Sequence, residues 1–280
     1  MNFKKTKIQL LGKLSISIFL IIAFIGILPI TQNICLVHAE GDTFDLENED
    51  DFNKCFNERT GTLGIPEGCK KINQRKISSA EPVMKNRLAK IKSITIPASI
   101  SEIGSSAFKD CENLENVIFK SSDENPSQLK SISNHCFANC IKLSNVTLPI
   151  GLKTIGDSAF NNTIFERIEI PASVETIGIA TFAANIELKT VIFKNSENSP
   201  SKIKKLDTAC FSGCFKLFEI NLPEGLQTIE FNAFSLSGIK AIEIPASVQT
   251  IHPRAFECCD GIKVTFRNRN QPSQSKCLLI

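Results

Sequence analysis

The sequence predicts a solenoid, in which short units that each contain a β-strand stack turn upon turn. The first observation behind this prediction is a row of phenylalanines spaced 29, 23, 22, 29, 23 and 22 residues apart. The second is that the spacings 29, 23 and 22 together span 74 residues and occur twice. A block of three units is therefore duplicated, and the row consists of Phe108, Phe137, Phe160, Phe182, Phe211, Phe234 and Phe256.

Two short motifs keep the same register as the phenylalanines. The tetrapeptide Ile-Pro-Ala-Ser begins at Ile96, Ile170 and Ile244, which lie 74 residues apart, and Val-Ile-Phe-Lys begins at Val117 and Val191. Whole blocks are repeated, because the sequence between the aromatic positions returns with them. This pattern is typical of a repeat architecture and not of a globular enzyme core.

Each unit begins with a predicted strand. Its pattern is Leu/Ile-x-x-Ile-x-Ile, as in Ile91, Ile94 and Ile96, and its last residues alternate with period 2. Such alternation indicates a strand with one buried face. Proline follows the last apolar residue in several units and has no N–H for a ladder, so the strand should end there. The prolines concerned are Pro97, Pro149, Pro171, Pro223 and Pro245.

The remaining apolar residues of each unit predict a shared core. A second apolar pair follows the strand, such as Ile100 and Ile103, and in most units a small residue then precedes the phenylalanine. No unit can enclose these side chains alone, so stacking must bury them. We therefore expect seven or eight units of repeated strands, joined by short turns or helical corners.

The outward side of the strand row is the predicted binding surface. Alternation directs one set of side chains away from the core, and in a solenoid this repeated face is the usual contact surface. The set is mostly polar, without a basic stripe or an aromatic stack, and the alternative is a solvated sheet without a partner. The centre of the predicted surface consists of Asn116, Ile118, Asn145, Thr147, Arg167, Glu169, Thr190, Ile192, Glu219 and Asn221.

Two units carry a polar insertion, at residues 121–127 and 195–201. Both insertions are rich in serine and asparagine and end in Pro-Ser, which predicts surface loops. They lie three turns apart, so we expect them at the same edge of the solenoid. We favour tolerated loops over a binding role.

Residues 1–39 are predicted to be a secretory signal peptide. Four lysines precede an apolar run from Leu14 to Ile30, and Val37-His38-Ala39 is a small-residue cleavage pattern before Glu40. An uncleaved membrane anchor is the alternative. Removal of this segment leaves 28 of the 32 basic side chains and all 29 acidic ones, a net charge of −1. The charge therefore gives no indication of a nucleic-acid partner or an anionic membrane.

Three further parts complete the predicted organisation. Residues 40–89 comprise an acidic leader, expected to be disordered, and a degenerate cap repeat. A calcium site in the leader is the alternative, although the ligand spacing of a calcium loop is missing. Residues 90–266 hold the repeats, with a last strand at 261–266, and residues 267–280 form a polar tail. The tail ends in a prenylation-like Cys-Leu-Leu-Ile, which we interpret as coincidence beside a secretory signal.

Cysteines and histidines do not predict a catalytic or metal site. Cysteines lie one residue before or three residues after the phenylalanines, where other units carry small residues, so we expect small buried side chains. A disulfide between Cys111 and Cys140 is the alternative. No ligand set for zinc is complete, and His135 and His252 occupy variable positions. We expect no enzyme activity, no cofactor and no metal.

The unit, with its Ile-Pro-x-Ser-Val-x-x-Ile-Gly-x-x-Ala-Phe-x-x-Cys core, resembles the BspA-like leucine-rich repeat over about residues 90–266. The resemblance implies a leucine-rich-repeat solenoid on a cell surface of a bacterium or anaerobic protist. It also implies adhesion to host matrix proteins, host cells or other bacteria, and it supplies no catalytic residues. The expected function is a secreted or cell-surface protein that binds a protein or glycan through the strand face. A self-assembling structural component without a host ligand is the alternative.

Overall fold

The computed structural model describes residues 42–75, 82–195 and 200–267. The predicted signal peptide and the prenylation-like ending lie outside these residues. Within the described part, no helix has the length and apolar character needed to cross a membrane. In chain order the elements are β1 (Thr43–Phe44), α1 (Glu49–Cys55), β2 (Phe56–Asn57), β3 (Thr62–Gly64), β4 (Lys71–Ile72), α2 (Pro82–Lys90), β5 (Ser93–Ile96), β6 (Glu102–Ile103), β7 (Asn116–Phe119), β8 (Ser131–Ile132), β9 (Asn145–Val146), β10 (Thr154–Ile155), β11 (Arg167–Ile170), β12 (Thr176–Ile177), β13 (Thr190–Phe193), β14 (Lys205–Leu206), β15 (Glu219–Asn221), β16 (Thr228–Ile229), β17 (Ala241–Ile244), β18 (Thr250–Ile251) and β19 (Lys263–Phe266).

The predicted strand of each unit forms the first ladder of the solenoid. Equivalent strands of successive turns pair in parallel, in the orders β3-β5-β7-β9, β11-β13-β15 and β17-β19. In β5 the isoleucines Ile94 and Ile96 are buried, while Ser93 and Thr95 face outward. Strand β5 ends directly before Pro97, as the missing N–H of proline requires. The solenoid class predicted from the sequence is confirmed.

A second ladder, which the sequence analysis did not identify as strands, runs along another side of the turns. It consists of two-residue strands in the orders β1-β4-β6-β8-β10-β12 and β14-β16-β18. The glycine after several of these strands lies against the backbone of the preceding turn. A Cβ atom on Gly156 would come within 2.7 Å of the backbone nitrogen of Asn134, so the close approach requires glycine.

The third side of each repeat unit is a sharp bend in the backbone. We call this bend the Phe turn and define it as the five residues centred on each phenylalanine of the row. The residues two before and two after the phenylalanine have left-handed backbones, as in Ser106 (φ 59°) and Asp110 (φ 62°). This conformation costs about 1–2 kcal/mol per non-glycine residue. It aligns alternate N–H groups with carbonyls of the next turn, and Phe108 donates to Cys136 at 2.9 Å. The corners are therefore turns and not helices.

The phenylalanine rings of the Phe turns form one continuous stack. Neighbouring ring centroids are 5.3–5.8 Å apart and the ring planes deviate by at most 11°. Offset stacking at this distance is a favoured aromatic geometry. The rings therefore bind successive turns to each other at the same place in every unit.

The cysteines near the phenylalanines are small buried side chains, as predicted. The thiols of Cys140 and Cys214 donate to the carbonyls of Phe108 and Phe182, both at 3.2 Å. Cys111 and Cys140 are not joined in a disulfide. Burial raises the pKa of the Cys214 thiol to about 12. These thiols are therefore part of the core.

One unit carries Asn185 in place of the cysteine. Its buried amide donates to the carbonyls of Phe160 at 2.9 Å and Phe182 at 2.8 Å. The amide therefore satisfies two buried acceptors, where the equivalent thiol of Cys214 satisfies one. The slot tolerates a polar side chain because these carbonyls are present.

The prediction of a disordered acidic leader is wrong for residues 42–51. Phe44 and Leu46 are each only 2% exposed, and β1 pairs with β4. The acidic residues that follow form the first turn of α1, where Asn48 accepts hydrogen bonds from the backbone of Asp50 at 2.9 Å and Asp51 at 3.2 Å. Acidic side chains are favourable at a helix N-terminus. The segment therefore caps the first turns of the solenoid.

The first ladder is interrupted twice, although the second ladder continues past both points. Strand β9 does not pair with β11, and β15 does not pair with β17, whereas β10 pairs with β12 and β16 with β18. The spacing from each phenylalanine to the apolar second residue of the next first-ladder strand differs between turns. At both breaks a spacing of nine residues, as from Phe137 to Val146, is followed in the next turn by a spacing of eight, as from Phe160 to Ile168. No other pair of successive described turns has this order of spacings.

Candidate functional site

The predicted binding row lies on the outward side of the first ladder, where the break between β9 and β11 divides it. Asn116 lies opposite Asn145, and their side-chain amides are hydrogen-bonded at 3.0 Å. On the other side of the break, Glu169, Ile192 and Asn221 occupy the same register on three neighbouring strands. The structure therefore brings the predicted residues together as two adjoining groups.

Thr190 and Asn221 of the predicted row are hydrogen-bonded to a neighbouring turn. Thr190 was expected to be open, but it is only 8% exposed, and its hydroxyl donates to the Glu219 carboxylate at 3.2 Å. The Asn221 amide donates to the carbonyl of Phe193 at 3.1 Å and accepts from its N–H at 3.0 Å, which extends the ladder by a side chain. The expectation of an open Thr190 is wrong because the next turn supplies a partner for it.

A shallow hollow of about 300 Å³ lies over the first group of the row. Asn116, Ile118, Asn145 and Thr147 all line it. Ile118 is 52% exposed, an unusually open position for an isoleucine in a strand. The hollow therefore offers an apolar contact bordered by amide and hydroxyl groups.

A larger groove of about 730 Å³ lies at the break between β9 and β11. Among the predicted residues, Thr147, Arg167 and Glu169 line it. The groove is also lined by residues that lie beyond the strands and were not predicted as binding residues, among them Leu148, Ile150, Pro171, Ala172, Lys194 and Lys202. The groove exists because the two strands at this point are not hydrogen-bonded to each other.

The charges of the groove centre on one carboxylate. Glu169 forms ion pairs with Arg167 at 2.7 Å and Lys194 at 3.0 Å. Hydrogen bonds from Arg167 and then Lys194 hold the pKa of Glu169 below its ordinary value. Lys202 pairs with Glu175 at 3.5 Å. All these groups are partly open to solvent, so each pair alone contributes little to stability.

Ile150 is the residue whose role sequence analysis missed most clearly. It is 85% exposed at the groove, the highest value among the open apolar side chains of the described residues. The repeat itself could have indicated it. The strands of the first ladder fall into three blocks of three turns, β3-β5-β7, β9-β11-β13 and β15-β17-β19, and the residue equivalent to Ile150 is Glu67 in the first block and Glu224 in the third. An apolar side chain replaces a charged one at this single point.

Within the described residues, His135 and His252 do not form a catalytic arrangement. His135 is exposed on a left-handed residue (φ 57°), while the neighbouring Cys136 is buried. Burial raises the pKa of the Cys136 thiol well above its ordinary value, the opposite of an activated nucleophile. His252 packs on Phe231 with ring centroids 4.6 Å apart. The described residues contain no group of three or more His, Cys, Asp or Glu that could hold a metal ion.

Comparison with known proteins agrees with the repeated architecture. The family model for the BspA type leucine rich repeat region matches six copies, over residues 48–125, 121–199 and 195–278. No curated protein matches the chain significantly.

Among solved structures, a leucine-rich repeat protein of Bacteroides ovatus is similar, with a TM-score of 0.51, 23% identity and coverage of 73% of this chain. The chain spans 63% of the length of that protein. The leucine-rich repeat protein of T. pallidum has a TM-score of 0.48 and 23% identity, covering 62% of this chain and 74% of that one. The pneumococcal vaccine antigen PcpA has a TM-score of 0.41 and 24% identity, covering 74% and 62%.

Proposed function

Because the chain belongs to the family of proteins with BspA-type leucine-rich repeats, we propose that it is a secreted or cell-surface binding protein that contacts its partner through the strand face. The observation that carries this proposal is the first ladder, which presents an outward row interrupted by an open groove. The partner is a protein or a glycan of a host matrix or cell surface. Secretion follows from the signal peptide predicted for residues 1–39.

The scaffold beneath the outward row favours a preorganised binding surface. The strands that carry the row are tied to a core of stacked rings and to two parallel ladders, so its side chains are held before a partner arrives. Such preorganisation lowers the entropic cost of association. The open isoleucines, Ile118 and Ile150, supply the desolvated contacts on which affinity depends most.

The proposal is tested with purified protein and immobilised extracellular-matrix proteins, with binding followed by surface plasmon resonance at physiological salt. We expect a saturable partner whose affinity falls at least tenfold in Ile118→Lys, because a lysine there places a charge in the contact. The matched control is Ile179→Lys, since Ile179 is similarly open (47% against 52% exposed) but follows a strand of the second ladder.

Both variants should keep the melting temperature of the natural protein, because both sites are open. A partner whose affinity falls equally in both variants would contradict the strand face as the binding surface, as would a partner that neither variant affects and that no substitution in the groove affects.

Self-association is the second candidate function, and one observation favours it. Phe215 and Phe218 are 59% and 60% exposed on the segment leading into β15. Open aromatic side chains at neighbouring positions mark contact surfaces. Light scattering should then show oligomers that increase with concentration and disappear in Phe215→Ser together with Phe218→Ser. A strictly monomeric natural protein would exclude this role.

A further inference from the structure

We propose that the groove between β9 and β11 binds an acidic segment of a protein partner, with a carboxylate at Lys194 and an apolar side chain on Ile150. This inference rests on the proposed binding function and specifies the chemistry of its ligand. It follows from a comparison of the three blocks of the solenoid, which serve as internal references for one another.

The three blocks place a basic residue at the same point. Lys120, Lys194 and Arg267 each follow the strand that pairs with the Ile-Pro-Ala-Ser strand. Each donates its backbone N–H to the isoleucine of that motif, at 2.8, 2.9 and 2.9 Å respectively. Since the backbone positions agree, differences between the blocks must come from the side chains nearby.

In the first and third blocks an internal glutamate fills the space beside the basic residue. Glu67 pairs with Lys120 at 2.8 Å, and Glu224 pairs with Arg267. Each ion pair crosses over the intervening Ile-Pro-Ala-Ser motif. In the middle block this position is Ile150, so no such bridge forms and the groove lies open. Lys194 pairs with Glu169 of its own block, but the middle block lacks the second carboxylate position that Glu67 and Glu224 fill in the other blocks.

The charge of the groove agrees with an anionic ligand. Three basic residues (Arg167, Lys194 and Lys202) and one acidic residue (Glu169) line it, a net charge of +2. In the first block the equivalent positions are Ser93, Lys120, Gln128 and Thr95, and Glu67 brings the sum to zero. In the third block the described equivalents are Ala241, Glu243, Arg267 and Glu224, a net charge of −1. Over the residues that the structure describes, the middle block is therefore the most positively charged of the three, which favours a carboxylate as its ligand.

The apolar part of the groove favours a peptide as the source of that carboxylate. Leu148, Ile150, Pro171 and Ala172 supply aliphatic surface, and no aromatic side chain lines the groove on which a sugar ring could stack. Strands β9 and β11 each end a ladder at the break. Their main-chain groups are therefore available to an extended backbone. A glutamate or aspartate beside a leucine or isoleucine fits both features.

The probe is a fluorescein-labelled heptapeptide in which glutamate and leucine alternate, and its control is the same peptide with glutamine for glutamate. Binding to the full protein is measured by fluorescence anisotropy at 50 and 300 mM NaCl. We expect saturable binding of the glutamate peptide that weakens with salt, and at least tenfold weaker binding of the glutamine peptide. Loss of one charge-assisted hydrogen bond corresponds to about a tenfold change in affinity.

Matched variants identify the groove as the site. Lys194→Gln should weaken binding about tenfold, whereas Lys120→Gln, the same change at the equivalent place of the first block, should leave it unaltered. Ile150→Glu should abolish binding by supplying the internal carboxylate found in the other blocks. Ile150→Gln should weaken it less, because the apolar contact is lost without competition for Lys194. Circular dichroism melting establishes that each variant is folded.

The outcomes separate this inference from the proposed function. Equal binding of both peptides, or equal effects of Lys194→Gln and Lys120→Gln, would overturn the groove proposal. If Ile118→Lys then still abolishes binding of the matrix partner, the proposed function of the strand face stands. A matrix partner that neither Ile118→Lys nor Ile150→Glu affects would overturn both.

Discussion

The central ring of the phenylalanine stack gives the sharpest test of how the turns are held together. Phe182 is completely buried, and its ring lies between Phe160 at 5.8 Å and Phe211 at 5.5 Å. The terminal Phe256 is 4% exposed, and among the described residues its ring stacks on Phe234 alone, at 5.4 Å. The two residues thus occupy equivalent positions with two stacking neighbours and one. We compare Phe182→Ala with Phe256→Ala.

Phe182→Ala should cost about 4–5 kcal/mol of unfolding free energy. Replacement of a buried phenylalanine by alanine costs about 3–5 kcal/mol, and each stacked pair contributes about 0.5–1.5 kcal/mol of such a loss. The central ring therefore belongs at the upper end of the range, and Phe256→Ala at about 3 kcal/mol. A loss of this size is a large part of the 5–15 kcal/mol of a typical domain.

Urea denaturation followed by circular dichroism measures these values. The chain contains no tryptophan and no tyrosine, so intrinsic fluorescence of those residues is not a usable signal. In a stack where each turn contacts only its neighbours, a gap in the middle should also separate the unfolding of the two halves and lower the apparent m-value. If Phe182→Ala cost no more than Phe256→Ala, and unfolding stayed cooperative, the stacked rings would not be what couples the turns.

Three further predictions concern the core and its first turn. Asn185→Ala removes one donor from each of the Phe160 and Phe182 carbonyls and leaves the buried N–H of Thr163 without its acceptor, so it should cost about 2–3 kcal/mol in a urea titration. Asn185→Cys, which restores the side chain of the equivalent slots, should cost less, because a thiol in this slot again donates to a carbonyl. Burial raises the pKa of Cys214 to about 12 from its ordinary 9.0. The neutral thiol therefore makes its full contribution to the free energy of unfolding below pH 9, and this contribution is lost as the pH rises towards 12. Cys214→Ala should accordingly reduce the fall in melting temperature at alkaline pH. Arg75→Ala removes donors to the Lys109 carbonyl and the Asp110 carboxylate and should cost about 2 kcal/mol. Arg254→Ala, at a side chain 70% exposed, should change the melting temperature little.

The repeated features of the fold could be predicted from the sequence because each of them occurs in several units. The first-ladder strands, the prolines that end them, the buried phenylalanines and the small cysteine slot all appear in successive units. The second ladder was missed because its strands, such as β6, are two residues long and show a single alternation. The leader was predicted to be disordered because its composition is strongly acidic. Composition alone gives no sign of the helix cap at Asn48 or of the burial of Phe44 and Leu46.

The candidate site was predicted in part. The strand face follows from alternation, and Thr147, Arg167 and Glu169 do line the groove. The groove itself could not be predicted from periodicity, because it arises where the chain departs from the period by one residue and where Ile150 replaces a glutamate. The burial of Thr190 depends on a single hydroxyl contact with the next turn. Such exceptions carry no repeated signal.

The aligned peptide groups of the Phe turns also give the stack of turns a dipole along its axis. Their aligned N–H groups all point towards the C-terminal neighbour, and their carbonyls towards the N-terminal one. Peptide dipoles aligned in this way add up, as they do in a helix. The negative end lies at the Phe108 turn, where the Arg75 guanidinium binds the Lys109 carbonyl. The five junctions from the Phe108 turn to the Phe234 turn each present the same three donors to the same acceptors, so a whole block of three turns could be inserted or deleted there while both ends kept their chemistry. The length of such a protein is thus adjustable in steps of one block.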